Sequence, residues 1–296
     1  MKRDKCGLLD PKGRQDHIVP RVYLRGFLHP NRDKENRRLE VFDLPTRLWA
    51  LPRTPDELCT ESGFYDYSVE KADETADKAF EELENGLAEV RTKLRSEGFQ
   101  NWMRHREFLV GFAHMLVVRS RMFREGIVSA AQRQVWLRVL EVSGNKIRYE
   151  PFDPAREPDA GAMAKNLSIT KMREEIHNLA RDFSLWQWSL VTTPFVESPF
   201  ITSDAPVVMD GPIRDGLRAV SDGSFRVVVP FGWDFAMVGS PRRTLAEGPV
   251  EQTVTEMDEW RIITTSGATE YLISPNRLLD MRWFGRVTPA VPLMPR

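Results

Sequence analysis

The hydrophobic residues of this chain follow two different periods in two successive regions. Between residues 69 and 94 they recur at steps of three or four, which is the pattern of one face of an amphipathic helix. Over residues 186–191 they recur at steps of two, as in a strand with two distinct faces. Further strands are predicted at 225–231 and 235–239, on either side of a turn at 232–234, and a helix at about 250–265. Two short strand-like runs, 39–43 and 47–51, precede the helical region. This order of strands, helices and again strands predicts an α+β fold, not a regular βαβ alternation.

The helical region predicts a middle section built as a helical bundle. One helix is expected over 69–94, with Ser68 as its cap and Gly98 at its end. A more apolar helix over 101–125 is expected inside the bundle, and 127–142 is predicted to continue it after a break. The strands before and after this section are predicted to form a mostly antiparallel sheet that packs against the bundle.

The length of 296 residues fits one large domain or two closely packed ones. Residues 1–16 are polar and contain Gly and Pro, so this stretch is predicted to be poorly ordered. Residues 143–164 are rich in Gly, Pro, Asp and Ala, which favours a surface loop or an internal boundary. We therefore expect a single α+β domain over 17–296, with its internal loop boundary at 143–164.

The composition limits the classes of protein that the chain fits. Its 42 basic and 43 acidic residues lack the basic excess of a typical DNA-binding protein, although a local basic patch is compatible with them. Cys6 and Cys59 are too few for a disulfide framework or a zinc pattern, and they fit a reducing compartment. No signal-peptide pattern and no apolar stretch of about 20 residues is present, so we expect a cytoplasmic protein without a membrane partner.

The segment that begins at His17 carries the first candidate functional residues. Pro20 suits the first position of a helix, and apolar residues follow at helical spacing, so His17 is expected just before a helix N-terminus. Backbone N–H groups there bind anions and favour a neutral imidazole, which suits a proton acceptor near neutral pH. Arg21 adds a guanidinium that can bind phosphate or carboxylate. The alternative is that His17 caps the helix and Arg21 is solvated.

Arg119 is the second candidate, because it lies within an apolar stripe of the 101–125 segment. An unpaired buried charge costs on the order of several kcal/mol, so Arg119 must be paired or face a cavity. It is therefore predicted either to form a buried salt bridge or to bind an anionic ligand. His105 lies on the same face and is interpreted as a core histidine or as a further site group.

The third candidate is a short apolar run that ends in Ser203 and Asp204. Pro206 prevents simple continuation of a strand ladder, and carboxylates at strand ends often face a cleft. Alternatively, Asp204 accepts hydrogen bonds from nearby backbone N–H groups in an Asx-type turn. The motifs of nucleotide-binding loops, zinc proteases, α/β-hydrolases and kinases are absent. One histidine and one carboxylate make a poor metal site, so no metal and no cofactor is expected.

These segments resemble the family catalogued as domain of unknown function 4238. The family opens with His-x-x-Pro followed by an aromatic residue, Leu and Phe, which residues 17–27 match. The further matches are a Leu-x-Val-[Tyr/Phe]-Asp strand at 39–43, a Phe-Tyr pair at Phe64 and Tyr65, and a Phe-Ile-x-Ser-Asp-x-Pro segment at 200–206. The matches occur in the same order as in the family and span most of the chain.

The resemblance implies an effector function, because some members of the family are catalogued as candidate antiphage defence genes. It favours the functional interpretation of His17 and Asp204. We therefore expect an antiviral defence enzyme, such as a nuclease, that acts on RNA or another phosphate-bearing substrate. His17 would transfer the proton and Asp204 would orient it. The residues predicted to bind the substrate are Arg21, Arg119, Tyr65 and Ser203.

Two other interpretations stay open at this point. The same groups can bind an anionic ligand or a protein partner without breaking a bond, and ligand would then raise the melting temperature. They can also be structural caps and ion pairs, so that replacing His17 costs stability without a specific loss of function. His17, Arg119 and Asp204 are far apart in the sequence, so their convergence on one cleft would favour a common site.

Overall fold

The computed structural model describes residues 15–31, 37–62, 64, 80–121, 123–124, 137–143, 146–151, 168–172, 174, 183–210, 226–241, 245–246 and 248–277. The strands are β1 (Gln15–His17), β2 (Glu40–Asp43), β3 (Leu48–Trp49), β4 (Thr60–Ser62), β5 (Leu137–Ser143), β6 (Lys146–Pro151), β7 (Gln187–Thr192), β8 (Thr202–Ser203), β9 (Val208–Asp210), β10 (Arg226–Pro230), β11 (Phe235–Ser240), β12 (Val250–Glu251) and β13 (Tyr271–Ser274). The helices are α1 (Arg21–Leu24), α2 (Glu81–Glu97), α3 (Arg106–Arg119) and α4 (Met257–Gly267). Shorter 3-10 turns cover Arg25–Phe27, Pro55–Glu57 and Phe99–His105. The helices stand beside mostly antiparallel sheets, which confirms the α+β prediction.

Helix α2 buries the apolar stripe that the sequence predicts. Leu87, Val90 and Leu94 follow one another at steps of three and four, and all three are buried. The helix ends at Gly98, whose φ of 93° is readily adopted by glycine, and whose N–H donates to the Leu94 carbonyl. The predicted end of this helix is therefore confirmed, whereas its predicted first part, 69–79, lies outside the described residues.

Helix α3 is buried on most of its surface, as its apolar composition predicts. The 3-10 turn over 99–105 precedes it, so the regular α-helix begins later than predicted. It packs against α2 at Gly86, where an added Cβ would lie only 2.6 Å from the ring of Phe108. Glycine at this position therefore permits a close approach of the two helices.

The predicted continuation of this helix over 127–142 is wrong for its last part. Residues 137–143 form β5, which pairs antiparallel with β6 in a two-stranded sheet. The β-branched residues Val139, Val142 and Ile147 lie in this hairpin, and they favour strands over helices. Strand β6 also occupies part of the predicted loop 143–164, and the rest of that loop lies outside the described residues.

A five-stranded sheet with the order β12-β7-β11-β10-β9 forms the centre of the C-terminal half. Its neighbouring strands are antiparallel, except that β12 runs parallel to β7. Val227 and Val229 belong to the main core together with α2 and α3, whereas Val228 packs in a second cluster with Met257 of α4. Both faces of the sheet are thus covered by helices, and accordingly β10 and β11 are buried at nearly every position and not at alternate ones.

A four-stranded sheet with the order β3-β2-β13-β8 combines strands from the N-terminal and C-terminal parts of the chain. The hairpin of β2 and β3 pairs Phe42 with Trp49, and the C-terminal strand β13 lies between β2 and β8. This arrangement confirms that N-terminal and C-terminal strands share a sheet. The turn predicted at 232–234 is also found, between β10 and β11.

Strands β1 and β4 form a separate two-stranded ribbon in which His17 lies opposite Thr60. The ribbon includes Gln15 and Asp16, the last two residues of the stretch predicted to be poorly ordered, and residues 1–14 lie outside the described part of the chain. None of the helices among the described residues is long and apolar enough to cross a membrane.

Candidate functional site

His17 lies at the end of β1 and not at a helix terminus. Helix α1 is one turn long, its N-cap position is held by Pro20, and no side chain caps it. The chain passes from His17 to the helix through Ile18, whose N–H donates to the Cys59 carbonyl at 2.8 Å. The short helix is confirmed, but a helix N-terminus does not form the surroundings of His17.

The pKa of the His17 imidazole is nevertheless lowered, which favours its neutral form. Burial lowers its pKa below the ordinary value of 6.5, and the positive charges of Arg21 and Arg119 lower it further. A hydrogen bond to the backbone of Asp56 and the charge of that residue act in the opposite direction without reversing the shift. The lowered pKa favours a neutral imidazole near neutral pH, for a different reason from the one expected from the sequence, and the Nε2 atom of that imidazole is buried.

Arg21 and Asp56 form an exposed ion pair beside His17. The Nη1 atom of Arg21 lies 3.0 Å from Oδ1 of Asp56, and each side chain is 56% exposed. Asp56 is held in the 3-10 turn Pro55–Glu57, which a capping box closes: the Thr54 N–H donates to the Glu57 carboxylate at 2.9 Å. We call His17, Arg21 and Asp56 the His17 corner.

Asp56 is the member of the His17 corner that sequence reasoning missed. The signal was present, because Thr54 and Glu57 have the spacing of a capping box and fix a turn around Asp56. The sequence could not show that this turn lies against His17, since the two are separated by almost 40 residues.

Arg119, at the end of α3, contacts the backbone of His17. Its buried guanidinium pairs with Glu84 of α2, donates to the backbone carbonyl of His17 and lies 4.9 Å from the ring centroid of Phe80. The side chain is only 1% exposed. This geometry corresponds to the buried salt bridge among the two alternatives for Arg119, and it positions the backbone of His17.

Two further arginines beyond the end of α3 bind the same ribbon. Arg121 pairs with Glu61 of β4 at 3.2 Å and with Glu270 at 3.0 Å, and Arg124 pairs with Glu61 at 3.2 Å. Together with Arg119 we call them the anchoring arginines. They connect the ribbon that carries His17 to α3 and to the residue preceding β13.

Asp204 is bound by a distant stretch of backbone. Its carboxylate accepts hydrogen bonds from the N–H groups of Thr269, Glu270 and Tyr271, at 3.1, 3.1 and 3.4 Å, and from the Thr269 hydroxyl. None of its hydrogen bonds in the described part of the chain goes to His17. The arrangement resembles the predicted backbone-binding alternative, but the N–H groups come from 65 residues later in the chain and not from a local turn.

The other predicted substrate-binding residues are placed differently. Ser203 closes the turn beside Asp204, because its hydroxyl donates to the Ala205 carbonyl at 2.8 Å and accepts from the Ala205 N–H at 3.1 Å. Tyr65 lies outside the described residues, and its neighbour Phe64 is buried. His105 is half-buried at the end of the 3-10 turn before α3.

The two most specific motifs meet, although through residues that were not predicted as site residues. The buried hydroxyl of Tyr23 lies 3.0 Å from the Thr202 hydroxyl and donates to the Pro230 carbonyl. A second connection runs through Tyr271, whose hydroxyl accepts from the Cys59 N–H at 3.0 Å. The opening motif and the segment 200–206 are thus joined by a hydrogen bond, whereas His17 and Asp204 bind different partners.

No group of three or more His, Cys, Asp or Glu side chains in the described residues is arranged to hold a metal ion. The chemistry that the His17 corner itself offers is one neutral imidazole, one exposed guanidinium and one carboxylate. Such a set can bind an anion at the exposed Arg21, whereas proton transfer to a ligand requires a movement that exposes Nε2 of His17.

No curated protein and no solved structure shows a significant match to the chain. The family described as "Protein of unknown function (DUF4238)" matches residues 15–243. This range contains the His17 corner, the anchoring arginines and the segment 200–206, so the resemblance seen in the sequence is confirmed. The chain belongs to the DUF4238 family of proteins of unknown function.

Proposed function

We propose that the protein binds a phosphate-bearing ligand, such as RNA or a nucleotide, at the His17 corner and acts on it as a defence effector. The observation that supports this proposal is the neutral imidazole of His17 beside the exposed guanidinium of Arg21. A guanidinium binds phosphate oxygens through paired N–H donors, and a neutral imidazole accepts a proton. The two groups together suit a phosphate ester with an ionisable hydroxyl nearby.

The reaction that fits these groups is cleavage of RNA by its own 2′-hydroxyl. The Nε2 atom of His17 is buried, so this step requires a movement of the corner that exposes it to the hydroxyl. His17 then takes the proton of the hydroxyl, the 2′-oxygen forms a bond to phosphorus, and the bond from phosphorus to the 5′-oxygen breaks. The leaving 5′-oxygen takes a proton from water or from the imidazolium, so that atoms and charges balance. Arg21 stabilises the negative charge on the phosphate during this step.

Phosphate can displace Asp56 from Arg21 at low cost. Both partners of this ion pair are more than half exposed, and exposed pairs contribute at most about 1 kcal/mol. Arg119 and Asp204 have supporting parts in this proposal. Arg119 holds the backbone of His17, and Asp204 holds the residues that lead into β13.

A second candidate function is ligand binding without bond cleavage. It is favoured by the hydrogen bonds of Asp204, which leave its carboxylate engaged with the backbone of 269–271 and not with His17. The orienting carboxylate expected from the sequence is therefore not supplied by Asp204. A binding module would still use Arg21 for the phosphate and the imidazole as a hydrogen-bond partner.

The test is induced expression in a bacterial host of wild type, His17→Gln and Asp204→Asn, followed by growth and the integrity of total RNA. We expect the wild type to arrest growth with fragmented RNA, and His17→Gln to abolish both effects while the purified variant keeps a cooperative melting transition. Asp204→Asn is expected to lower the melting temperature, because it weakens hydrogen bonds to three backbone N–H groups.

Two outcomes separate the candidates. RNA fragmentation that persists in a folded His17→Gln protein would exclude His17 as the proton acceptor. Intact RNA in every strain, together with a higher melting temperature of the wild type in the presence of oligonucleotide, would select the binding module.

A further inference from the structure

A second group of arginines, which includes Arg21 of the His17 corner, is exposed at the surface. Arg21, Arg25, Arg38 and Arg53 are all exposed, and we call them the arginine patch. Arg21 and Arg25 are one helical turn apart, since the N–H of Arg25 donates to the carbonyl of Arg21. Residues at this spacing lie on the same side of a helix, so the two side chains leave the backbone in a similar direction.

Arg38 and Arg53 reach the same place from the β2–β3 hairpin. Leu39 and Arg53 exchange backbone hydrogen bonds of 2.8 and 3.0 Å, and Nη1 of Arg38 lies 3.4 Å from the Pro52 carbonyl. Hydrogen bonds from Thr54 lower the pKa of Glu57, and the charges of Arg38 and Arg53 lower it further. Because Glu57 directly follows Asp56, the partner of Arg21, these arginines surround one turn.

The surface around this turn carries an excess of positive charge. Among the described residues, Arg21 pairs with Asp56, and the charges of Arg38 and Arg53 act on Glu57, so three patch arginines adjoin the two exposed carboxylates of the turn. Within the described residues, the only ion pair formed by the patch is that of Arg21 with Asp56. The chain as a whole has a net charge of −1, so its composition does not show this local excess of positive charge.

We infer that the arginine patch binds successive phosphates of a single nucleic-acid strand, so that the ligand at the His17 corner is a polymer and not a mononucleotide. This inference rests on the proposed function. Several separate cations bind a strand because each contacts a different phosphate and releases a counterion, whereas a mononucleotide offers its charge at one place. The patch extends the His17 corner in two directions, towards Arg25 along the helix and towards Arg53 along the hairpin.

An exposed apolar side chain at the same surface favours a single strand over a duplex. Leu51, two residues before Arg53, is 82% exposed. The bases of a single strand are free to contact such a side chain, whereas a duplex hides them in its stack. RNA and DNA single strands both have a phosphodiester backbone with accessible bases. The binding experiment below distinguishes the two kinds of strand.

The test is fluorescence anisotropy of the full chain with labelled strands of about 12 nucleotides, a length within the usual site sizes for single strands. The probes are DNA and 2′-O-methyl RNA of one sequence, since neither has a free 2′-hydroxyl and neither can be cleaved by 2′-oxygen attack. Affinity is measured over a series of salt concentrations for wild type, Arg38→Gln, Arg53→Gln and Arg104→Gln. Arg104 is the matched control, because it is exposed in the turn at the other end of α3 from the anchoring arginines.

We expect the slope of log affinity against log salt to fall by about 0.7 for each patch arginine that is neutralised, and to be unchanged for Arg104→Gln. Preference for 2′-O-methyl RNA or for DNA identifies the strand. Equal slopes for wild type, Arg38→Gln and Arg53→Gln would overturn the inference. So would competition by uridine monophosphate as strong as by the strand, or binding to anionic phospholipid vesicles with the same loss of slope.

The result also separates this inference from the proposed function. If the patch variants bind like wild type while His17→Gln still abolishes RNA fragmentation, the patch inference fails and the proposed function stands. If strand binding depends on the patch but no RNA is fragmented in cells, the polymer ligand stands and the enzymatic proposal fails.

Discussion

The anchoring arginines and the arginine patch each include one residue that acts on His17, and the two groups are used in different ways. Arg119 is 1% exposed and binds Glu84 together with the backbone of His17, whereas Arg21 is 56% exposed and has one exposed partner. Arg121 and Arg124 share Glu61 as a partner, while Arg25 and Arg53 project from the surface. The anchoring arginines fix the ribbon of β1 and β4, and the patch arginines keep their charged groups in solvent.

The difference shows how a nearly neutral chain can carry a specific basic surface. A charge that leaves water must be paired inside the fold, because its desolvation otherwise costs several kcal/mol, on the order of the whole stability of a domain. An exposed guanidinium stays hydrated, so it needs no internal partner and is available to a ligand. Loss of an anchoring arginine should therefore change stability, and loss of a patch arginine should change ligand binding.

The largest expected effect is that of Arg119→Met. The substitution leaves the His17 carbonyl and the Glu84 carboxylate without this donor, and breaking a buried pair from one side typically costs about 3–5 kcal/mol. We expect a loss of about 3 kcal/mol, at the lower end, because Glu84 is 26% exposed and partly solvated. Urea denaturation measures the loss, with Arg53→Met as the matched control within about 0.5 kcal/mol of wild type.

A loss below about 1 kcal/mol for Arg119→Met would contradict the contrast between the two groups. A loss for Arg53→Met as large as that for Arg119→Met would contradict it as well, since Arg53 would then stabilise the fold as an anchoring arginine does.

The parts of the fold that the sequence predicted are those that depend on local pattern. The apolar stripe and Gly98 define the end of α2, and the two short runs on either side of the turn 232–234 predict β10 and β11. The hairpin of β2 and β3 was likewise visible, because two short apolar runs flank a turn with Pro45. Hydrogen bonds and burial in these elements are set by residues close in the chain.

The parts that sequence reasoning missed depend on distant partners. Arg119 had to be paired or face a cavity, but the sequence does not distinguish Glu84 from the other glutamates of α2, 35 residues away. Asp204 was expected to serve His17, whereas its donors are backbone N–H groups of 269–271, which have no signature in the sequence. Strand β5 was mistaken for helix because its pairing with β6 outweighs the helical pattern before it.

The intermediate expected effect is that of Arg121→Gln, which tests the more exposed end of the anchoring group. Arg121 bridges Glu61 and Glu270, but its side chain is 38% exposed, so the loss should be about 1 kcal/mol at low salt. Because salt screens exposed pairs more than buried ones, this loss should shrink in 1 M NaCl while that of Arg119→Met persists. Urea denaturation at both salt concentrations measures the two losses, and a salt-independent loss for Arg121→Gln would place it with Arg119.

The smallest expected effect is the pH dependence that His17 gives to stability. Burial, Arg21 and then Arg119 lower the pKa of the folded imidazole, whereas the unfolded chain keeps an ordinary value near 6.5. The unfolded state therefore binds more protons as the pH falls through about 6.5, and the contribution of His17 is lost as the pH falls through its folded pKa. We expect wild type to lose stability relative to His17→Gln between pH 7.5 and pH 5, measured by urea denaturation.

The same histidine also reports on the two groups of arginines directly. The charge of Arg21 lowers the pKa of His17 more than that of Arg119 does, although Arg119 touches its backbone. In an NMR titration of the imidazole, Arg21→Gln should therefore raise the pKa of His17 more than Arg119→Lys, which keeps the charge. Because Arg119→Lys retains the charge and Arg21→Gln retains the fold, a larger rise for Arg119→Lys would mean that burial of His17 depends on the anchoring contact. The pKa of His17 would then depend mainly on the contact of Arg119 with its backbone and not on the charge of Arg21.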